Sequence, residues 1–171
     1  MKQEINVLDY ATEIMNQLKT GVLLTTKNKD KVNSMTISWG ALTIIWGKPH
    51  FIVFVRGSRY TKQLLDETME FTININQDNV DNKILTYCGT KSGRDCDKIK
   101  DLDLELVEGE KVNAPAIKQL PLTLECKVVY KQFHDKDAFL PSLKEKFYPS
   151  GKESDFHTAY YGEIVSSYII K

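Results

Sequence analysis

The chain has few cysteines and histidines, and none of them is spaced like a metal ligand. Its three cysteines, Cys88, Cys96 and Cys126, include no pair separated by two residues, and its three histidines are scattered. Zinc sites and dithiol redox motifs require close, regular spacing of these residue types. The sequence therefore predicts no metal site, and the odd number of cysteines favours a reducing cytoplasm.

Long apolar runs and glycine-rich nucleotide motifs are also missing. The apolar stretch of residues 41–55 is interrupted by Lys48, Pro49 and His50, whereas a bilayer crossing needs ~20 apolar residues. The chain start lacks the apolar core and cleavage site of a secretory signal. The nine glycines form neither Gly-x-Gly nor a phosphate-loop motif. We therefore expect a soluble, cytoplasmic protein that holds any nucleotide in another way.

No excess of charge of either sign is present. The 171 residues contain 23 Lys and Arg against 23 Asp and Glu, so no electrostatic attraction to nucleic acid is expected. The length suits one domain with a sizeable core, and we assign residues 1–171 to it. Gly-x-Ser-x-Gly is absent, although a catalytic triad is defined by geometry and stays open. A small-molecule site is favoured over a surface for polyanions.

The hydrophobic periodicity predicts many short strands and a few helices. Helices are predicted over 11–19, 58–67 and 80–87, and strands over 22–26, 34–39, 43–46, 50–56, 70–76, 121–133 and 160–170. The first four strands are expected to be consecutive antiparallel neighbours. Residues 135–153 are predicted to be an irregular, partly aromatic excursion that packs on the body or on a second subunit. The pattern indicates a mainly β fold with helical insertions, a barrel being favoured because closure removes sheet edges.

Residues 33–40 form the first candidate binding segment. In a strand, Ser34, Thr36 and Ser38 share one face. Such a row of hydroxyls can hydrogen-bond the heteroatom edge of a planar ring system. The alternative is a half-buried strand with a solvated face, and the segment alone favours that alternative.

Residues 56–61 form the second candidate, where a strand leads into a helix. Ser58 suits an N-cap, and Arg59 and Thr61 add donors beside the positive end of the helix dipole. This combination fits a phosphate monoester. The alternative, that Ser58 only caps the helix and the arginines are solvated, has equal weight.

Two later segments carry further donors. Residues 88–98 combine two flexible glycines with Ser92, Arg94 and Lys98, which fits a second clamp, but a self-neutralising surface loop is the favoured alternative because acids are interspersed. His157 can donate a hydrogen bond or shuttle a proton, although a lone histidine is more often structural.

Taken together and in order, these segments resemble the flavin reductase-like family, in particular its flavoredoxin branch, over residues 21–170. The resemblance lies in Asn33-x-Met35-Thr36-Ile37-Ser38-Trp39, Ser58-Arg59-Tyr60-Thr61, Cys88-Gly89-x-x-Ser92-Gly93-Arg94-Asp95-x-Asp97-Lys98, and His157-Thr158 before Gly162-Glu163-Ile164. It implies an FMN-binding split β-barrel of Greek-key type. At Gly57 close relatives often have proline, and glycine is expected to loosen the turn.

The resemblance also implies a role for each binding residue. Along the isoalloxazine ring and ribityl chain it places Asn33, Met35, Thr36, Ser38 and Trp39; around the phosphate, Arg56, Ser58, Arg59 and Thr61; and closing over the cofactor, Ser92, Gly93 and Lys98. It implies a homodimer with FMN near the interface, to which the excursion after Asp135 and the last strand contribute. No catalytic side chain is assigned, and His157 is a candidate only.

Three functions follow as hypotheses. The leading one is an FMN-dependent oxidoreductase that takes hydride from NAD(P)H and passes electrons to free flavin, a partner protein or a small acceptor. The second is a flavoredoxin-type electron-transfer flavoprotein without direct NAD(P)H use. The third is a barrel that has lost the cofactor and serves as a binding module. FMN is expected rather than FAD because a helix-terminus site suffices for one phosphate, and Lys98 near the pyrimidine edge would stabilise the reduced flavin.

Overall fold

Strands make up most of the computed structural model, which describes residues 1–77 and 82–171. The strands are β1 (Lys2–Glu4), β2 (Val22–Asn28), β3 (Lys31–Ile37), β4 (Gly40–Ile45), β5 (Lys48–Arg56), β6 (Glu70–Ile75), β7 (Leu106–Val107), β8 (Ala116–Ile117), β9 (Leu122–Phe133) and β10 (His157–Ile170). The α-helices are α1 (Ala11–Thr20), α2 (Tyr60–Thr68), α3 (Asn82–Thr90), α4 (Lys98–Asp101) and α5 (Pro141–Phe147). The predicted mainly β class with helical insertions is confirmed.

One antiparallel sheet runs in the order β3-β2-β6-β9-β10-β5-β4, with β1 added on β10, while β7 and β8 pair separately. The β2–β3 and β4–β5 hairpins are confirmed. The expected pairing of β3 with β4 is wrong, because these strands lie at opposite ends of the order. Only Ser38 and Trp39 separate them in the chain, so the end of β3 and the start of β4 are three Cα–Cα steps, at most about 11 Å, apart. The two sheet ends therefore meet at these residues, a place that we call the seam.

The hairpin turns explain why β3 and β5 begin earlier than the sequence predicts. In the β4–β5 turn both central residues, Trp46 and Gly47, have positive φ (51° and 73°), which is the two-residue turn that matches strand twist. In the β2–β3 turn the first central residue, Lys29, has a φ of 51°. Because these turns are so short, pairing extends to Lys31 and to Lys48.

Other boundaries also differ from the predictions. Helix α2 begins at Tyr60 instead of Ser58, and β10 begins at His157 instead of Tyr160. The predicted helix over 80–87 starts outside the described residues, and its described part extends to Thr90. The excursion 135–153 is not wholly irregular, because α5 begins there with Pro141 in its first turn, where a missing N–H costs nothing. None of the described helices is long and apolar enough to cross a membrane.

The core lies on both faces of the central strands. On the inner face of the sheet, every second residue of β5 and β6 is a buried apolar side chain, among them Phe51, Val53, Phe71 and Ile73. On the outer face, Leu23 of β2 packs with residues of α3 and of the 102–120 segment. This second layer holds the end of α3 and the loop after it against β3, beside the seam.

Candidate functional site

Two adjoining cavities share Met35 and Arg59, and the second of them lies at the seam. The cationic cavity, of about 260 Å³, is lined by Asn33, Met35, Ser58, Arg59, Tyr60, Thr61, Cys88, Gly89, Lys91, Ser92, Gly93, Arg94 and Lys98. The aromatic cavity, of about 250 Å³, is lined by Met35, Thr36, Ile37, Ser38, Trp39, Phe54, Arg56, Arg59 and His157. The structure thus gathers every binding residue predicted from the sequence, and His157, around one continuous groove. Their roles toward a ligand stay a prediction.

The cationic cavity is named for the charge of its lining. It is lined by Arg59, Lys91, Arg94 and Lys98 and by no carboxylate. Within residues 1–77 and 82–171, none of these four cations has an acidic side chain within ion-pair distance. An unneutralised cluster of this kind favours a multiply charged anion.

The acids of the 88–98 segment lie outside the cationic cavity. Asp95 and Asp97 line a neighbouring cavity of about 680 Å³, to which Arg94 and Lys98 also contribute. The Asp97 side chain caps α4 by accepting a hydrogen bond from the Lys100 amide at 3.2 Å. The acids thus lie beside Arg94 and Lys98 without lining the cationic cavity, and the interpretation as a self-neutralising surface loop stays open.

Lys98 is a buried cation with neutral partners. Its Nζ donates to the carbonyl oxygens of Ser34 at 2.9 Å and Cys88 at 2.8 Å, and the residue is 4% exposed. Burial lowers the pKa of its amino group, which the Cys88 and Cys96 thiols partly oppose. An ammonium has three donors, so one donor remains beyond the two carbonyl bonds.

Asn33, Thr61 and Gly93 form a close contact at the floor of the cationic cavity. Asn33 Nδ2 donates to Thr61 Oγ1 at 2.8 Å, and both side chains are buried. A Cβ atom at position 93 would collide with the Asn33 side-chain amide, so only glycine fits there. Because Thr61 accepts this bond, its own hydroxyl hydrogen stays available as a donor.

The turn before α2 differs from the predicted cap. Arg59 is the N-cap residue, with no side-chain capping bond, and Ser58 lies one position before it. The Ser58 amide donates to the Ser154 carbonyl at 2.9 Å, and the Gly57 amide to the Phe156 carbonyl at 3.1 Å. These bonds hold both residues outside the helix. The unpaired amides of the first helical turn therefore follow Arg59.

Gly57 is also more constrained than the sequence suggests. A Cβ atom there would lie 3.1 Å from the Ser154 backbone, so the glycine allows a close approach of the 154–156 segment. Two main-chain bonds hold the turn in the fold, and the expected loosening by glycine relative to proline stays a prediction.

Two of the three hydroxyls predicted to share a face of β3 form hydrogen bonds within the protein. Ser34 Oγ and Thr25 Oγ1 lie 2.7 Å apart in the interior. Thr36 Oγ1 donates to the Leu85 carbonyl at 2.6 Å. Ser38 lies past the end of β3, at the seam, where it lines the aromatic cavity.

His157 and Trp39 form the aromatic side of the groove. Their ring centroids are 5.0 Å apart, and the Tyr148 hydroxyl lies 2.8 Å from His157 Nδ1. Burial, with the Arg56 guanidinium and further cationic neighbours, lowers the pKa of His157 to about 4. The imidazole is therefore neutral at pH 7.

The two predicted phosphate arginines take different places. Arg56 Nη2 donates to the Phe147 carbonyl at 3.1 Å, and its guanidinium lies over the Tyr148 ring. Arg56 lines only the aromatic cavity, whereas Arg59 lines both cavities. Arg59, Ser58 and Thr61 thus line the cationic cavity together, and Arg56 does not line it.

Sequence reasoning did not assign a binding role to Tyr148 or Lys91. Lys91 stands within the glycine-flanked loop that drew attention to Ser92, Arg94 and Lys98, so the signal was present. Tyr148 gave no local signal, because its contact with His157 depends on how the chain folds back between them.

Comparison with known proteins agrees with this geometry. The family model for the flavin reductase like domain matches residues 15–171. A protein of Archaeoglobus fulgidus is 32% identical over 130 residues, covering 75% of this chain and 69% of that protein.

Two flavoredoxin structures are similar in fold. The flavoredoxin from Methanosarcina acetivorans has 28% identity and a TM-score of 0.67, with 88% of this chain and 68% of that chain covered. The flavoredoxin of Desulfovibrio vulgaris (Miyazaki F) has 24% identity and a TM-score of 0.69, with 88% and 69% covered. The resemblance seen in the sequence is confirmed: the chain belongs to the family of the flavin reductase like domain.

Proposed function

We propose that this protein is an FMN-binding oxidoreductase, most simply an NAD(P)H-dependent flavin reductase that passes electrons through bound FMN to an acceptor. The observation that carries the proposal is the joining of two unlike cavities that share Met35 and Arg59. One has four cations and no carboxylate, and the other presents the rings of Trp39, Phe54 and His157 beside polar side chains. A ligand with a dianionic end and a planar ring matches both.

The donor set fits FMN on its own chemistry. A phosphate would meet the guanidinium of Arg59, the hydroxyls of Ser58 and Thr61, and the amides at the start of α2. The ring would lie toward Met35 and Trp39, where Arg59 bridges the two cavities. When bound, the flavin supplies the hydride and electron chemistry, and the protein supplies binding and orientation.

The chain's own residues would set the environment of the ring. Lys98 offers one unused N–H from a buried ammonium, which stabilises negative charge on a neighbouring group. Neutral His157 offers a hydrogen bond without adding charge. Trp39 and Phe54 supply aromatic faces to the cavity in which the ring would lie.

A third cavity supports direct use of a small reductant or acceptor. It measures about 500 Å³ and shares Ser38, Trp39 and Phe54 with the aromatic cavity. A second reactant could therefore lie next to the proposed ring position. The alternative, an electron-transfer flavoprotein without NAD(P)H use, is favoured by the likeness to flavoredoxins.

The first experiment identifies the cofactor. We expect the purified protein to absorb in the visible, or to do so after FMN is added, and acid extraction to release FMN. A colourless protein that binds no flavin would contradict the proposal and leave a binding module. Anaerobic mixing with NADH and with NADPH then separates the redox alternatives, since bleaching of the bound flavin supports the reductase and its absence supports the electron carrier.

A second experiment locates the phosphate. Ser58→Ala combined with Arg59→Gln should weaken FMN binding tenfold or more and change riboflavin binding little, because each charged hydrogen bond contributes about 1.5–3 kcal/mol. Lys62→Gln is the matched control on the same helix, since Lys62 pairs with Asp66. Equal losses for FMN and riboflavin would place the phosphate elsewhere.

We also propose that the protein forms a homodimer through an aromatic surface patch. Trp46, Tyr130 and Tyr161 have mutual centroid distances of 5.1–6.3 Å, and Ile44 and Val129 are also exposed. An apolar patch of this kind typically marks an interface. In sedimentation experiments Trp46→Asp should give monomers, while Leu106→Asp, an exposed control, should not. A monomeric wild-type protein at micromolar concentration would end this proposal.

A further inference from the structure

Tyr148 is fixed through both its ring and its hydroxyl. The ring stacks on Phe156 with centroids 4.8 Å apart and an angle of 13° between planes, and the Arg56 guanidinium lies over it at 5.5 Å. The side chain is 5% exposed. The hydroxyl is 2.8 Å from His157 Nδ1. His157 lines the aromatic cavity, whereas Tyr148 lines the adjoining third cavity, so the phenol contacts the imidazole from outside the aromatic cavity.

Each member of the pair carries one hydrogen, and the greater acidity of the phenol decides which atom donates. His157 carries one ring hydrogen because burial and its cationic neighbours lower its pKa to about 4. Burial raises the pKa of Tyr148, which therefore keeps its hydroxyl hydrogen. A phenol donates most favourably to the unprotonated nitrogen of a neutral imidazole. The ring hydrogen of His157 is then on Nε2.

No other described group competes for Nδ1. The neighbouring imidazole of His134 has its centroid 6.1 Å from that of His157, which is beyond ring-to-ring hydrogen bonding. The bond between these two residues runs instead from the His134 amide to the His157 carbonyl, at 2.9 Å. Within residues 1–77 and 82–171, the Tyr148 hydroxyl is the hydrogen-bond partner of the His157 ring.

We propose that Tyr148 is a positioning residue that holds His157 in the Nε2–H form, as an uncharged hydrogen-bond donor toward the aromatic cavity. The group that it would receive is an oxygen acceptor, such as a carbonyl, on the reactant that meets the flavin. The inference rests on the proposed function for the identity of that reactant. The tautomer itself follows from the pair of side chains alone.

Nitrogen-15 NMR of labelled protein tests the tautomer directly. In the wild type, His157 should show a protonated Nε2 and an unprotonated Nδ1 at pH 7, with His157→Gln identifying the signals. Tyr148→Phe keeps the stacked ring and removes only the hydroxyl, and should shift the Nδ1 resonance and admit the other tautomer. Tyr168→Phe is the control, because it removes a buried hydroxyl bonded to Glu125 instead.

A wild-type protein with the hydrogen on Nδ1 would overturn the inference, even if the phenylalanine variant does not fold. Unchanged His157 signals in Tyr148→Phe would overturn it as well. Neither result depends on flavin binding, so failure here is distinct from failure of the proposed function.

Rapid-reaction kinetics with NADH test the consequence for the reactant. In flavin-loaded Tyr148→Phe, the apparent dissociation constant for NADH should rise about two- to tenfold, as expected for one neutral hydrogen bond. The limiting rate of flavin bleaching should change less than the dissociation constant. Tyr168→Phe should match the wild type in both. A dissociation constant unchanged in Tyr148→Phe would contradict the donor role.

Discussion

At the scale of single residues, the aromatic end of the groove depends on an imidazole that stays uncharged. Two arginines and burial act on His157 in the same direction. The sequence offered the histidine as a candidate, but its neighbours Tyr148 and Arg56 come from segments nine and about a hundred residues away. Long-range packing, which local patterns do not encode, decides the charge of this group.

The charge state of His157 predicts a pH dependence of stability. Its pKa is about 4 in the fold against 6.5 ordinarily, so between those values the unfolded chain binds a proton that the native state does not. Stability should therefore fall as pH falls from 6.5 to 4, by about 3 kcal/mol from this group.

Urea unfolding at several pH values measures this effect. His157→Gln should show a shallower decline over the same window, because its side chain does not titrate. Identical slopes in the variant and the wild type would show that His157 titrates normally in the fold.

Thr61 provides a second residue-scale prediction. Thr61→Val keeps the shape but leaves Asn33 Nδ2 without its acceptor in a buried place. We expect a loss of about 1–3 kcal/mol in the free energy of unfolding, and weaker FMN binding. Thr12→Val, at an exposed position of α1, should change both little. No difference between the two variants would mean that the Asn33 amide finds another partner.

At the scale of elements, the sequence predicted which elements exist better than where they begin. Strands β2, β5, β6 and β9 follow from their apolar, β-branched runs. The start of α2 was misplaced because main-chain bonds from Gly57 and Ser58 to the 154–156 segment hold the turn extended. Ser58 has the right chemistry for a cap, but its position is decided by a segment nearly a hundred residues later.

This turn yields a prediction for Gly57. Gly57→Pro removes the N–H that donates to the Phe156 carbonyl and adds ring atoms close to Ser154. We expect unfolding stability to fall by about 1–3 kcal/mol and FMN affinity to fall with it. Gly57→Ala keeps the N–H and should lose less in thermal unfolding and in FMN titration. A proline variant as stable as the wild type would show that the turn is not held by these bonds.

At the scale of the whole molecule, the sequence predicted the fold class but not the sheet order. Hairpins could be predicted because their partners are adjacent in the chain. The strand pairs β2–β6, β6–β9 and β10–β5 could not be predicted, because each joins segments that are distant in the chain. The resemblance to a family supplied what local physics did not, and it also supplied the candidate binding residues that the fold then gathered.

Glu125 links several distant parts of the molecule. Its buried carboxylate accepts hydrogen bonds from the amides of Glu110, Lys111 and Val112, and from the Tyr168 hydroxyl, at 2.6–3.2 Å. One side chain of β9 thus holds the 110–112 loop and β10 together.

Replacing this carboxylate tests that connection. Glu125→Gln should lower the free energy of unfolding by about 2–4 kcal/mol, because an amide hydrogen then faces backbone donors. Glu105→Gln, which removes only an exposed ion pair with Lys118, should cost less than about 1 kcal/mol. Denaturant unfolding compares them, and equal small effects would show that the loop is held by other contacts.

The seam at Ser38 and Trp39 has a consequence for the architecture itself. No main-chain hydrogen bonds join β3 to β4 within the described residues. A molecule bound across this gap would therefore connect the two edge strands of the sheet. Occupancy should then slow amide hydrogen exchange in β3 and β4 more than elsewhere, and the melting temperature should climb with ligand concentration.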